Sequence, residues 1–266
     1  MTFHAIASPV VSMKEEPKDL SKVVSQAFFS EAITVVEELR DWALIQTSDK
    51  YLGWVPKKAF CKSAAAFHPN CFTTRLSCHI YPKTEIEYGP YLTLPFGIEL
   101  MGKQGNDPRW IELFLPTGAT AYIQTGDISF EKKVHTKNTL AKWSLSFLGL
   151  PYTWGGRSSF GFDCSGFVQM LYRQLGLYLQ RDARLQILDE RLQVVEKEEL
   201  ETGDLLFFGK GTQKISHVGL FLGKDQFIHA TVKEDQPWIR ISSLKEWTSN
   251  TAPYAYATFR QFKEVS

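Results

Sequence analysis

The sequence predicts an α+β chain: two small all-β barrels in tandem, then a mixed domain in which helices precede an antiparallel sheet. Three observations carry this. The N-terminal part matches itself when shifted by 68 residues. The texture changes after about Glu131, where helical periodicity first appears. Finally, the turn G-F-D-C-S-G-F (161–167) runs directly into an apolar helical pattern and is followed by several strand-like segments.

In the repeat, Phe28 falls on Phe96, Glu31 on Glu99, Trp42 on Trp110, Ile45 on Leu113 and Trp54 on Tyr122. The segments D-W-A-L-I-Q and R-W-I-E-L-F read as strands, as do L-G-W-V-P and T-A-Y-I-Q. A period this long exceeds a solenoid unit and fits two small domains. Short strands between Gly, Pro, Asn and Asp clusters suit small barrels, placed at 1–62 and 63–131.

The third domain is placed at 132–266. Asn138 or Thr139 is expected to cap a helix carrying Leu140, Trp143, Phe147 and Leu148, stopped by Gly149 and Pro151. A second helix, 164–175, puts Phe167, Val168, Leu171, Tyr172 and Leu175 on one face and ends at Gly176. Then D-L-L-F-F, H-V-G-L-F-L, Q-F-I-H-A-T, W-I-R-I-S and Y-A-Y-A-T-F read as strands.

Lysine and arginine number 30 against 29 acids, so the net charge of +1 argues against nucleic acid or an anionic membrane as partner. The N-terminus shows no basic region followed by an apolar run, and no apolar stretch is long enough to span a bilayer. These features predict a cytoplasmic protein, and a monomer is expected. In that compartment Cys61, Cys71, Cys78 and Cys164 should be free thiols.

Cys164 stands apart because it opens a helix. A thiol is only a few per cent thiolate at neutral pH, and a helix N-terminus or a nearby imidazole favours the anion. Asp163 is placed to cap the helix, while Ser165 and Gly166 leave its first amides open toward a developing oxyanion. A G-K-D hairpin between the two histidine-bearing strands pairs Leu222 with Gln226. His217 and His229 then share one sheet face, with Gly219 leaving room between them. That is the arrangement of a base held by an orienting group. Two histidines and a distant thiol, with no ligand pair at zinc-finger spacing, predict no metal, and no cofactor is expected.

Taken together, Y-T-W-G-G-R-S-S-F-G-F-D-C-S-G-F, G-D-L-L-F-F, S-H-V-G-L-F-L-G and F-I-H-A resemble the NlpC-type cell-wall cysteine peptidases. Trp strands followed by G-W-V-P resemble bacterial Src-homology-3 (SH3)-like domains. The resemblance implies a papain-like domain with Cys164 as nucleophile, His217 as base and His229 orienting it. Tyr152 would lend its hydroxyl to the oxyanion site, and Trp154, Asp163 and Ser165 would line the substrate groove. Two barrels before such a domain are similar to γ-D-glutamyl-L-diamino acid endopeptidases, which act on free peptidoglycan stem peptides in recycling. In that group Asp182, in Q-R-D-A, would meet the substrate ammonium, with Tyr51 from the first barrel beside it. Members carry serine after that aspartate, where this chain has Ala183, so the free-amine preference is expected to relax. The same cysteine constellation also suits a muramoyl–L-alanine amidase. A non-catalytic cell-wall-peptide binder is the alternative of a different class.

Overall fold

The computed structural model describes residues 3–63, 67–131, 136–211, 214–248 and 253–258. The chain divides into two compact units, Met1–Glu131 with Ser158–Phe160, and Lys132–Arg157 with Gly161–Ser266.

The first unit holds two seven-stranded sheets. The first sheet comprises β1 (Phe3–Ile6), β2 (Val10–Lys14), β3 (Val23–Phe28), β4 (Ala32–Leu39), β5 (Trp42–Gln46), β6 (Leu52–Pro56) and β7 (Phe60–Ser63). The second comprises β8 (Cys71–Thr73), β9 (Ser77–Tyr81), β10 (Leu92–Pro95), β11 (Glu99–Gln104), β12 (Trp110–Phe114), β13 (Thr120–Gln124) and β14 (Ile128–Ser129). Their strand orders are β3-β2-β6-β5-β4-β1-β7 and β10-β9-β13-β12-β11-β8-β14, so the second is the first shifted by seven strands. The Trp strands β5 and β12 start 68 residues apart, as do β6 and β13. Alternation places the core of each sheet: Ala43, Ile45 and Val55 are buried in one, Ile111, Leu113, Ala121 and Ile123 in the other. Among the described residues neither sheet pairs its two end strands, so each is an open sheet.

In the second unit α1 (Lys137–Ser144) is capped by Thr136, whose side chain accepts from the Thr139 amide, two to three residues earlier than the sequence suggests. The expected stop holds: a short 3₁₀ turn ends at Phe147, and Gly149 takes φ +81°. The short pair β15 (Arg157–Ser158) and β16 (Gly161–Phe162) precedes α2 (Cys164–Arg173), and α3 (Ala183–Gln186) follows. The six-stranded sheet contains β17 (Gln193–Val195), β18 (Leu205–Gly209), β19 (Ile215–Gly223), β20 (Gln226–Thr231), β21 (Trp238–Ser243) and β22 (Pro253–Thr258). Its order is β17-β22-β18-β19-β20-β21, every pair antiparallel, and α4 (Leu244–Thr248) follows β21.

Phe167, Val168, Leu171 and Tyr172 of α2 are all fully buried. At about 1.5–3 kcal/mol per large apolar side chain, this face fixes where the helix begins. The rings of Phe147, Phe162 and Phe167 meet edge to face at 5.6–6.1 Å, just behind the cysteine turn.

The β19–β20 hairpin differs from expectation at its tip. Lys224 and Asp225 form a two-residue turn with positive φ, Gly223 pairs with Gln226, and Leu222 bulges out. The bulge restores the expected register inside the hairpin, where Phe221 faces Phe227 and Leu220 faces Ile228. His217, Gly219 and His229 therefore share a face with Phe208, Phe221 and Phe227.

Candidate active site

Asp163 builds the cysteine turn. Its Oδ1 accepts from the Gly166 amide at 2.7 Å as the N-cap of α2, and its Oδ2 accepts from the Gly155 amide at 3.0 Å. Arg181, 1% exposed, donates Nη1 to Oδ1 (3.0 Å) and Nη2 to Oδ2 (2.6 Å), a bidentate buried pair. Ser165 Oγ donates to Asp163 Oδ1 at 3.2 Å and accepts from Arg181 Nη1 at 2.9 Å. The side chains of Asp163 and Ser165, expected at the substrate groove, are bonded to each other and to Arg181 within the turn. The glycine after Ser165 also has a steric cause, since a Cβ on Gly166 would lie 2.1 Å from the Gly156 carbonyl oxygen.

Cys164 is 8% exposed, and its sulfur lies against the backbone N–H groups of Ser165 and Val218. Val218 directly follows His217, so packing α2 on β19 brings the thiol to the histidine strand. Burial pushes the Cys164 thiol up to about 12, and the Asp163 charge adds to this. The sequence argument expected a depressed thiol; here burial is the largest influence and raises it, against the lowering effect of the Val218 and Ser165 amides and the Arg181 charge. The resting group is the neutral thiol.

Tyr152 is anchored by its own amide to the Pro237 carbonyl at 2.7 Å and by a bridge to Phe162. Burial raises its phenol above the ordinary range, and Cys164 is the next cause, which places the ring within electrostatic reach of the thiol. Trp154 is 70% exposed, so it packs in no core and presents its face to solvent beside the W-G-G loop.

The histidines form a chain. His217 Nε2 lies 2.6 Å from His229 Nδ1, and His229 Nε2 lies 2.9 Å from Ser242 Oγ. Gly219 permits this, because a Cβ there would sit 2.7 Å from the Phe227 ring and 3.3 Å from the His229 Cβ. Burial lowers His217 to about 3, with Lys233 contributing, and pulls His229 well below the usual imidazole range, with His217, Arg240 and Lys233 contributing. Both rings are neutral at rest. Trp247 of α4 completes the enclosure, edge to face with His229 at 4.6 Å and tilted over His217 at 5.7 Å.

Asp182 precedes α3, yet its side chain makes no cap bond; it is about a quarter exposed and pairs with Arg184 at 3.3 Å. Its segment is tied to the cysteine turn on both sides. Arg181 holds Asp163, and the buried Gln186 donates Nε2 to the carbonyls of Ser165 (3.0 Å) and Gln180 (2.9 Å). Tyr51 belongs to the first unit, half-buried against the core of its first sheet.

The other cysteines are free and make no such arrangement: burial pushes Cys71 up to about 12 and Cys78 up to about 11, while Cys61 is half-buried. Among the described residues no cluster of His, Cys, Asp and Glu is placed to hold a metal ion, and no helix is long and apolar enough to cross a membrane. A thiol at a helix start, a histidine pair and a tyrosine beside the sulfur are the parts of an acyl-transfer site.

Residues 149–254 match the NlpC/P60 family, and residues 15–60 match the bacterial dipeptidyl-peptidase Sh3 domain. The chain is 28% identical to a gamma-D-glutamyl-L-lysine dipeptidyl-peptidase of Bacillus cereus, over 79% of this chain and 68% of that one. It is 29% identical to a protein of the same description from Bacillus subtilis, over 78% and 72%. A murein DD-endopeptidase/murein LD-carboxypeptidase of Escherichia coli is 35% identical over 48% of this chain and 66% of its own. An NlpC/P60 family protein from Bacillus cereus has the same fold, with a TM-score of 0.84 and 22% identity over 97% of this chain and 99% of that one.

Proposed function

We propose, from the premise that the chain carries an NlpC/P60 domain beside a bacterial SH3 domain, that it cleaves the γ-D-glutamyl–diamino acid bond of peptidoglycan stem peptides. The observation that carries this is the hydrogen-bonded pair His217–His229, with His217 on the strand whose next amide meets the Cys164 sulfur. The curated relatives that align over most of both chains support the choice of bond.

The chemistry follows from the resting charges. Thiol and imidazole are both neutral, so the Sγ proton passes to His217 as sulfur attacks the γ-carbonyl carbon. The oxyanion forms by the Cys164 amide and the Tyr152 hydroxyl, and those dipoles need no reorientation. Collapse breaks the C–N bond, His217 returns the proton to the leaving amine, and water hydrolyses the thioester by the same base.

The finer parts of the reading are also proposals. The two sheets of the first unit act as two SH3-like domains, supported by their shared strand order. Asp182 meets the ammonium of a free N-terminal L-alanine, supported by a carboxylate that does not cap its own helix. The substrate is a free stem peptide in cytoplasmic recycling, and the enzyme acts as a monomer. Digesting L-Ala-γ-D-Glu-diaminopimelate beside its muramoyl-linked form, with mass-spectrometric products, tests the whole. Release of L-Ala-D-Glu from the free peptide supports it; cleavage at the muramoyl–alanine amide replaces it with an amidase.

A further inference from the structure

We infer that Ser242 is a positioning residue that supports the protonation pattern of the two histidines in which His217 can act as a base. This rests on the reading of His217 as the base for Cys164. The argument is a proton count. Each ring is neutral and carries one N–H, and the 2.6 Å contact between His217 Nε2 and His229 Nδ1 holds a single proton.

Two arrangements satisfy that contact. In the first, His217 carries its proton on Nε2 and donates to His229 Nδ1, which leaves His217 Nδ1 as a bare lone pair. His229 then carries its proton on Nε2 and donates to Ser242 Oγ, 2.9 Å away. In the second, His229 donates from Nδ1 to His217 Nε2, His217 carries its proton on Nδ1 with its lone pair spent on its neighbour, and the Ser242 hydroxyl donates to the bare His229 Nε2. Only the first leaves a nitrogen able to take the thiol proton.

His229 is wholly buried, so an Nε2–H without an acceptor would be strongly disfavoured there. Its ring is enclosed by Phe227 and Trp247, which offer no oxygen. Arg240 lies opposite His229 on the neighbouring strand and is a donor only. Ser242, two residues further along the same face, supplies that acceptor; without it the first arrangement would bury an unmet N–H, whereas the second would leave only an unmet lone pair.

The test combines long-range ¹H–¹⁵N spectra of the histidine rings in the full-length ¹⁵N-labelled chain with kcat/KM on the stem tripeptide. Wild type should show His217 protonated at Nε2 and bare at Nδ1. Ser242→Ala should move both rings toward the opposite tautomer and lower kcat/KM about 10- to 100-fold. Ser242→Thr, which keeps the hydroxyl, should restore both readouts. Should Ser242→Ala not fold, Ser242→Cys, with its weak sulfur acceptor, gives the same shift in smaller measure. A wild type protonated at His217 Nδ1, or unchanged ring spectra in Ser242→Ala, overturns the inference. Rings behaving as expected in a protein that cleaves no stem peptide would instead overturn the peptidase reading and leave this one standing.

Discussion

Replacing Asp163 by Asn should damage stability as much as chemistry, because Asp163 neutralises a guanidinium that water barely reaches. Arg181 is 1% exposed and gives two nitrogens to the carboxylate, at 3.0 and 2.6 Å. An Asn amide keeps the volume and one carbonyl acceptor but removes the charge, leaving a buried cation uncompensated. Removing one partner of such a pair costs about 3–5 kcal/mol. For a unit of this size each kcal/mol moves the midpoint by about 4 °C, so the cysteine-bearing unit should melt roughly 10–20 °C lower. Differential scanning calorimetry, with the transitions of the two units fitted separately, measures this. Arg181→Met alone should be comparably harmful. Asp163→Leu combined with Arg181→Met should be milder than the sum of its singles, because no orphan charge remains. A midpoint shift below about 3 °C in Asp163→Asn, or strictly additive losses, would refute the view that this ion pair holds the cysteine turn.

Cys164→Ala should abolish turnover with the fold intact, whereas changes at Cys61, Cys71 or Cys78 should leave the rate within a few-fold; steady-state assays of the four variants decide it. His217→Ala should cost about 10²–10⁴-fold in kcat, and His229→Asn less, because an amide still holds the His217 ring; the reverse ranking would exchange their roles. Stability should fall in acid. Both histidines have folded-state values lowered below about 6.5, so their contribution is complete above that pH and is lost as pH drops toward 3. The buried His229 should account for more of this loss than the part-exposed His217, and His229→Asn should flatten the acid limb of a denaturant-midpoint profile. Asp182→Asn should lower kcat/KM on free-amine peptides about 10- to 100-fold and spare N-blocked ones, since a charged hydrogen bond is lost only with the former; equal losses on both would make the side chain structural.

The sequence makes visible what depends on local pattern. The 68-residue offset between the Trp strands survives as an identical strand order, and burial alternates in β5, β6 and β13 as their sequences suggest. The face shared by His217 and His229 follows from hairpin arithmetic, and it holds because the Leu222 bulge compensates for a tighter turn than G-K-D suggests. Ser242 and Arg181 stay hidden for a different reason. Ser242 meets His229 only through the β20–β21 register, and the connection between those strands carries no turn signature that would set it. Arg181 sits beside Asp182 in Q-R-D-A, where charge pattern alone reads it as a solvated cation.

The raised thiol shows where local reasoning misjudges a sum. Helix N-terminus, two amides and an imidazole all favour the thiolate, and each is present around Cys164 or on the adjoining strand. What the sequence does not display is how dry the sulfur becomes once Phe162, Phe167 and Val218 close around the turn, each fully buried. Desolvation acts on the thiol and the imidazole in opposite directions, raising one and lowering the other, so it keeps both neutral. A site built this way gains from delaying charge separation until a substrate carbonyl is present to receive the sulfur. The thiol should then alkylate no faster than a model thiol in the free protein, while remaining the nucleophile in turnover. Rapid alkylation of Cys164 by iodoacetamide at neutral pH would show that the ion pair exists before substrate arrives.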